Sequence, residues 1–316
     1  MDFTLSDDQQ LLLSSFESLL DRYRALPVGE HGYVAWDAAF QQELAASGFA
    51  EVASQPGFGP LDAALLVEAA AACPRGVEAA ASLLAGPLLT GPLLGQPAAP
   101  LALAWGLGKP VRYLAQAGTL CLFDGDTALV GTPREGDFTV REGVSAYPMA
   151  RLDRVPAGAQ RIVGDAARAL HRRALIGLAA EGAGLMRGAL DHTVAYVKER
   201  QQFGQPLGHF QAIQHRLAEC AQAVRGAKLL ALRAAHADEP GLAAIAALHV
   251  QATMRQVITD CHQFTGAMGL TLEFPLHLWT YRLKVLQGEA GGRAAQARRV
   301  SAHAWQSAQT SKREAA

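Results

Sequence analysis

Charge is scarce in this chain. Only 18% of its 316 residues are Asp, Glu, Lys or Arg, and 28 basic residues against 29 acidic ones leave a formal net charge of −1. So even a balance supplies no excess field for a polyanion or an anionic bilayer, and neither nucleic acid nor a membrane surface is expected as a partner. Cysteine is equally thin. Cys73, Cys121, Cys220 and Cys261 lie far apart, without CxxC or histidine spacing, so neither a zinc site nor a disulfide framework is expected. They read as small apolar core residues, and no metal is expected. Long apolar runs are missing too: Leu242 to Leu248 ends at His249, far short of the roughly 20 residues that span a bilayer. The opening Met1-Asp2-Phe3-Thr4 lacks the basic flank and apolar stretch of a signal peptide, so a cytoplasmic location is expected.

What is present is bulk apolar content. Half the residues are hydrophobic, ample for a core spread over two or three subdomains, and alanine is abundant enough to suit closely packed helices. Ser6-Asp7-Asp8-Gln9 is a capping box, and Leu11, Leu12, Phe16, Leu19 and Leu20 behind it form the stripe of a helix with one buried face, ended by Pro27 and Gly29. Helices are expected from about Ala35 to Ala46 and Leu61 to Ala72, with shorter ones over Val77–Leu84 and Leu88–Leu94.

Between Pro97 and Pro156 the texture changes. Ala102–Trp105, Thr119–Phe123, Ala128–Val130 and Phe138–Arg141 are short β-prone runs separated by turn residues, which predicts a small antiparallel sheet or sandwich that must lean on helices to be buried. Helical character returns over Asp165–Arg200, with Leu170, Leu178, Leu185, Ala189 and Val197 inward, and continues over Phe210–Ala237, Leu242–Thr265 and Pro275–Leu286. These four make a bundle, followed by a polar tail from about Ser307. The class is therefore mainly α: an N-terminal helical domain over 1–96, a reduced β domain over 97–160 and a C-terminal four-helix bundle over 161–316.

Two segments of the bundle carry chemistry. In Glu199-Arg200-Gln201-Gln202-Phe203-Gly204-Gln205-Pro206, Gly204 can close a helix in the left-handed conformation and Pro206 keeps it from continuing, which holds Arg200 at a helix end. A guanidinium there can grip a pyrophosphate through paired hydrogen bonds, or simply answer its own helix dipole. In Gln263-Phe264-Thr265-Gly266-Ala267-Met268-Gly269, the glycines let backbone approach a ligand and Gln263 offers an amide donor and an acceptor.

The first segment, continued through Phe210-Gln211-Ala212-Ile213-Gln214, and the second, continued to Glu273-Phe274-Pro275, resemble the C-terminal bundle of acyl-CoA dehydrogenases. The N-terminal half resembles that family loosely, through Asp2-Phe3, Trp36 and Gly48-Phe49. The resemblance implies that Arg200, Phe203, Gln211, Gln263 and Gly266 bind the ADP part of FAD, commonly a flavin seated in a neighbouring subunit. It also implies an acyl-CoA substrate and an electron-transfer flavoprotein as acceptor.

The family's reaction needs a carboxylate base beside the flavin, raised in pKa by an apolar pocket. One position that holds it falls here at Ala174, followed by Leu175 where a CoA-binding arginine would stand. The other follows Tyr281-Arg282-Leu283-Lys284, where Val285-Leu286-Gln287-Gly288-Glu289 replaces the usual Tyr-Glu-Gly-Thr and leaves Glu289 as the candidate base, or else a solvated loop carboxylate. Glu181, alone in an apolar helix, is expected to pair with an arginine. No Thr-Glu-Pro-x-x-Gly-Ser-Asp segment exists to line an isoalloxazine ring. The chain is thus similar to small subunits of bacterial heteromeric acyl-CoA dehydrogenases that act on bulky acyl groups such as sterol side chains, which implies an α2β2 assembly with a fuller partner. The alternatives are a self-sufficient homo-oligomer using Glu289, and a non-catalytic assembly subunit.

Overall fold

The computed structural model describes residues 4–25, 33–90 and 97–314. Asp2-Phe3, the helix-ending Pro27 and Gly29, and most of the short helix expected over Leu88–Leu94 lie outside the described residues. Ser6 caps α1 (Asp7–Arg24): its hydroxyl accepts from Gln9 N at 3.2 Å and the Gln9 side chain accepts from Ser6 N at 3.1 Å. Phe16, Leu19 and Leu20 are buried as the stripe requires, but Leu11 is 67% exposed, because the packed face is narrower than the apolar one. After α2 (Ala38–Ala46) and α3 (Pro60–Ala72), the expected helix over Val77–Leu84 is only α4 (Ala80–Leu84).

The middle region forms two sheets. β1 (Leu101–Ala104), β3 (Thr119–Asp124), β4 (Thr127–Gly131) and β7 (Gln160–Ile162) run in the order β1-β3-β4-β7. β2 (Pro110–Arg112), β6 (Met149–Leu152) and β5 (Phe138–Arg141) form the second sheet, in the order β2-β6-β5. The expected all-antiparallel pattern holds except that β1 pairs with β3 in parallel, since the chain returns through β2 in the other sheet before β3. Leu120 and Leu122 face a core shared with Val111, Ala150 and Leu152 of the second sheet. Cys121 and Phe123 face helices, packing with Ala81, Leu170 and Ala174. The sheet thus leans on α4 and on α5 (Gly164–Glu199).

All five positions expected to point inward on α5 are buried. The helix passes so close to α3 that a Cβ on Gly184 would stand 2.1 Å from the Glu68 carbonyl oxygen. A two-stranded hairpin, β8 (Gln201–Gln202) and β9 (Gln205–Pro206), leads into α6 (Gln211–Ala237), α7 (Pro240–Thr265) and α8 (His277–Gly288). The polar segment read as a tail is instead part of a fifth long helix, α9 (Gly292–Glu314), packed on α7. Its glycine-rich start and low hydrophobicity concealed it. All four cysteines are buried and unpaired in the core, and among the described residues no helix is long and apolar enough to cross a membrane.

Candidate functional site

Helix direction places the motif residues. α5 and α7 end, and α6 begins, at one end of the bundle. There Arg216 of α6 pairs with Asp260 of α7, and Phe274 packs on His192 and Tyr196 of α5 at ring distances of 4.3 and 5.1 Å. Arg200 follows the last residue of α5, Gln211 opens α6, Gln263 lies in the last turn of α7, and Gly266 caps α7 with φ 58°. All five motif residues are exposed, and among the described residues Arg200 has no ion pair. Gly204 is left-handed as expected, φ 80°, but its place is a hairpin tip, the helix having already ended at Arg200. Beside it Phe203 also takes a positive φ, 53°, with its ring 88% exposed. A bulky residue held left-handed in water costs about 1 kcal/mol or more, and the ring meets Phe210 edge-on at 6.0 Å while staying largely in solvent. A Cβ built on Gly266 would meet nothing within 4 Å, so a ligand can come close to that backbone. A cation, two amides, an exposed ring and an open glycine turn fit the phosphates and adenine of a dinucleotide.

Glu289 sits elsewhere, between α8 and α9, and its surroundings correct the solvated-carboxylate alternative. Its side chain is 11% exposed and meets Arg112 of β2, with Nη2–Oε2 at 3.0 Å and Nε–Oε1 at 3.2 Å. Arg112 Nη1 reaches Glu181 Oε1 at 2.8 Å, which is the arginine partner the sequence demanded for that carboxylate. Tyr147 OH donates to the same Glu181 oxygen at 2.7 Å, and the guanidinium stands 4.6 Å from the centre of the Tyr147 ring. Burial pushes the Glu289 carboxyl up and Arg112 pulls it down, with a net upward shift. Burial works against the Arg112 charge, but Glu181 and Glu289 outweigh it. Among the described residues, three of the five non-glycine residues with positive φ, Tyr113, Ala146 and Ala290, adjoin Arg112, Tyr147 and Glu289. Backbone strain therefore concentrates on this cluster.

Sequence reasoning missed Arg112, Tyr147 and Glu78. Arg112 and Tyr147 sit in short strands and turns with no motif around them. The Glu78 carboxylate accepts from Ala81 N at 2.7 Å, Ser82 N at 3.1 Å and the Ser82 hydroxyl, and burial raises it to about 7. Its one legible sign was an acid inside the apolar run Val77–Leu84. Glu78, Trp105, Arg112, Ala174 and Glu289 together line a cavity of about 20 Å³. Both alternative base positions, Ala174 and Glu289, thus face one space, but it has room for about one water. A tricyclic flavin ring does not fit there.

A larger pocket of about 330 Å³ lies at the other end of the bundle, lined by Arg168, His171, Arg172, Arg299 and His303 with Asp126. Its wall reaches the small cavity through aromatic contacts: Trp105 stacks on Phe123 at 4.6 Å and meets His171 edge-on at 5.3 Å.

Residues 163–305 match the family described as acyl-CoA dehydrogenase, C-terminal domain. The chain is 33% identical over 214 residues to the acyl-CoA dehydrogenase IpdE2 of Mycobacterium tuberculosis, covering 62% of this chain and 67% of that one. Other curated relatives match over much less of their length, this chain spanning 19%, 25% and 31% of three of them. Among solved structures, the ChsE4-ChsE5 complex from Mycobacterium tuberculosis superposes with a TM-score of 0.75 at 20% identity, over 95% of this chain and 98% of that one. The Tcur3481-Tcur3483 steroid ACAD variant gives 0.76 at 22%, over 97% and 100%. At such identities the likeness shows the fold alone, but with the IpdE2 match the assignment is plain. The chain belongs to the acyl-CoA dehydrogenase family, a family of FAD-dependent flavoproteins.

Proposed function

We propose that this chain is one subunit of a heteromeric acyl-CoA dehydrogenase, and that its exposed bundle end holds the ADP part of an FAD whose ring lies in a partner subunit. The observation that carries this reading is a contrast. The five residues suited to a dinucleotide are solvent-facing and open, while the space beside the chain's own candidate base is about 20 Å³, with Arg112 in its wall. Arg200 answers the pyrophosphate, Gln211 and Gln263 supply amides, Phe203 offers a face to the adenine, and the Gly266 turn admits backbone contact. Held there, FAD would supply a hydride acceptor for the acyl β-carbon, with the α-proton going to a carboxylate. The named relatives of the fold include a complex of two gene products and a steroid ACAD, which supports an α2β2 assembly and a bulky, steroid-derived acyl group. An electron-transfer flavoprotein as acceptor and the division at about residues 96 and 160 belong to the same reading.

The basic pocket suits the phosphates of CoA, and its aromatic wall places it next to the Glu289 cavity. A second reading, with Glu289 itself as base, is favoured by its raised pKa and by Oε2, which is held only by the Arg112 Nη2 ion pair at 3.0 Å and accepts no well-aligned hydrogen bond among the described residues. It requires Arg112 to move aside. In the assembled enzyme, Glu289→Gln abolishes turnover on this second reading and leaves it largely intact on the first. The primary test is purification alone and with the acyl-CoA dehydrogenase-like protein that co-purifies. Flavin absorbance is expected only for the pair, and a yellow, acyl-CoA-oxidising chain on its own would sink the proposal.

A further inference from the structure

Three arginines line the basic pocket, and two of them already have carboxylate partners. Arg168 pairs with Asp165 at 2.5 Å, and Arg172 makes two bonds to Asp238, at 2.7 and 3.0 Å. Arg299 has no carboxylate within ion-pair distance among the described residues. It is half-buried, and both burial and neighbouring Arg298 act against its charge. Its guanidinium is instead occupied by neutral acceptors. Nη1 donates to the Ala290 carbonyl at 3.0 Å and to Gln296 Oε1 at 2.9 Å, and Nη2 lies 3.3 Å from His171 Nε2. That last contact needs an unprotonated imidazole, and burial with the Arg299 charge brings His171 down to about 4. An unanswered cation in a concave site is where an incoming phosphate gains most.

Two of these three neutral acceptors, His171 and the Ala290 carbonyl, are what give Arg299 reach. His171 belongs to the aromatic wall with Trp105 and Phe123, and Trp105 lines the Glu289 cavity. Ala290 follows Glu289 in the chain and is held at φ 55°, so its carbonyl needs external donors to keep that strained turn in place. Without Arg299 it retains only Gln296 Nε2, at 3.3 Å. We infer that Arg299 is a positioning residue that couples anion occupancy of the basic pocket to the placement of Glu289. This rests on the reading of that pocket as the site for CoA phosphates. An organic phosphate in the pocket draws the guanidinium toward itself, the Ala290 carbonyl and His171 Nε2 lose their donor, and the turn carrying Glu289 is freed from one side. The ligand thereby has the differential interaction that any ligand-driven shift requires, because its phosphate competes directly for the donors that hold the resting turn.

Hydrogen exchange measured on the full chain, with and without CoA, tests this. The Glu289 and Gly292 amides are hydrogen-bonded to the Leu286 and Glu289 carbonyls, so they report on the turn. CoA is expected to raise their exchange roughly tenfold, what the loss of one charge-assisted hydrogen bond gives. Arg299→Met should show that fast exchange already without ligand, bind CoA at least about tenfold more weakly, and show no further rise on adding it. Arg299→Lys keeps a cation and so should keep most of the CoA affinity. One ammonium does not span both the Ala290 carbonyl and His171 Nε2, however, so basal exchange should again be raised. If wild type binds CoA but these amides do not respond, or if Arg299→Met shows the same ligand-induced rise, the coupling is refuted and the pocket reading stands. If wild type does not bind CoA at all, the pocket reading fails and takes the coupling with it.

Discussion

Replacing Arg112 by methionine removes the one cation between two nearly buried carboxylates while roughly keeping the volume of its stem. In the intact protein the guanidinium meets Glu181 at 2.8 Å and Glu289 at 3.0 Å, with side-chain exposures of 12%, 8% and 11%. At an effective dielectric near 20 each contact is worth about 4 kcal/mol of attraction, most of it offset by the desolvation of the ions. Truncation, however, removes the attraction and leaves the desolvation, so the expected loss is about 3–5 kcal/mol near neutral pH. The loss must depend on pH. Without Arg112, the folded-state pKa of Glu289, already raised by burial, loses the charge that pulls it down and rises further, and such a group contributes stability below the unfolded pKa that disappears as pH rises through the folded one. Urea unfolding should therefore show a larger deficit for Arg112→Met at pH 8 than at pH 5. Adding Glu181→Gln and Glu289→Gln should restore much of it, since an uncharged network of similar shape leaves no orphaned ion. A deficit under about 1 kcal/mol, or one indifferent to pH, would mean that the cluster does not hold the β region to α5 and the α8–α9 turn as described.

Glu78 is raised from 4.5 to about 7, so its contribution to stability is complete below about pH 4.5 and is lost as pH rises through about 7. This amounts to roughly 3 kcal/mol. Glu78→Gln should flatten that part of the urea-midpoint profile, and an unchanged slope would place the titration elsewhere. Gly184→Ala would ordinarily gain helix propensity of about 1 kcal/mol. Here the new Cβ meets the Glu68 carbonyl oxygen at 2.1 Å, so thermal melting should instead show a loss of about 3 kcal/mol or more. Phe203→Gly relieves a left-handed, exposed side chain and should stabilise the isolated chain by about 0.5–1 kcal/mol while lowering flavin retention in the assembled enzyme. Equal loss of both would show that the edge contact with Phe210 outweighs the backbone strain.

Much of the helical half was legible because it obeys local rules. The Ser6 capping box, the inward face from Leu170 to Val197 and the breaks at Arg200, Asp238 and Gly266 each follow from residues within a turn of one another. α9 escaped because it is polar along much of its length and is held by α7, a tertiary cause that no window of sequence contains. The parallel pairing of β1 with β3 was hidden for a similar reason, being fixed by a strand that belongs to the other sheet. At the site, Glu181 announced its need for a partner by standing alone among apolar residues. The partner's identity was not readable, since Arg112 lies 69 positions away in a three-residue strand. Burial of Glu289 was likewise invisible: glycines on both sides suggest an open loop, and only the convergence of β2, α5 and the α8–α9 turn closes it. The five residues proposed to hold the dinucleotide came from resemblance, and their shared location at one bundle end follows from antiparallel helix order.

The exposed bundle end is proposed to grip FAD seated in another subunit. That grip is tested most directly by the affinity of the co-purified complex for FAD, measured by flavin fluorescence after stripping and reconstitution, in wild type and Arg200→Met. Loss of a charge-assisted contact to pyrophosphate should weaken binding at least about tenfold, with the subunits still associated. Unchanged FAD affinity in a complex that assembles normally would rule out Arg200 as a pyrophosphate contact.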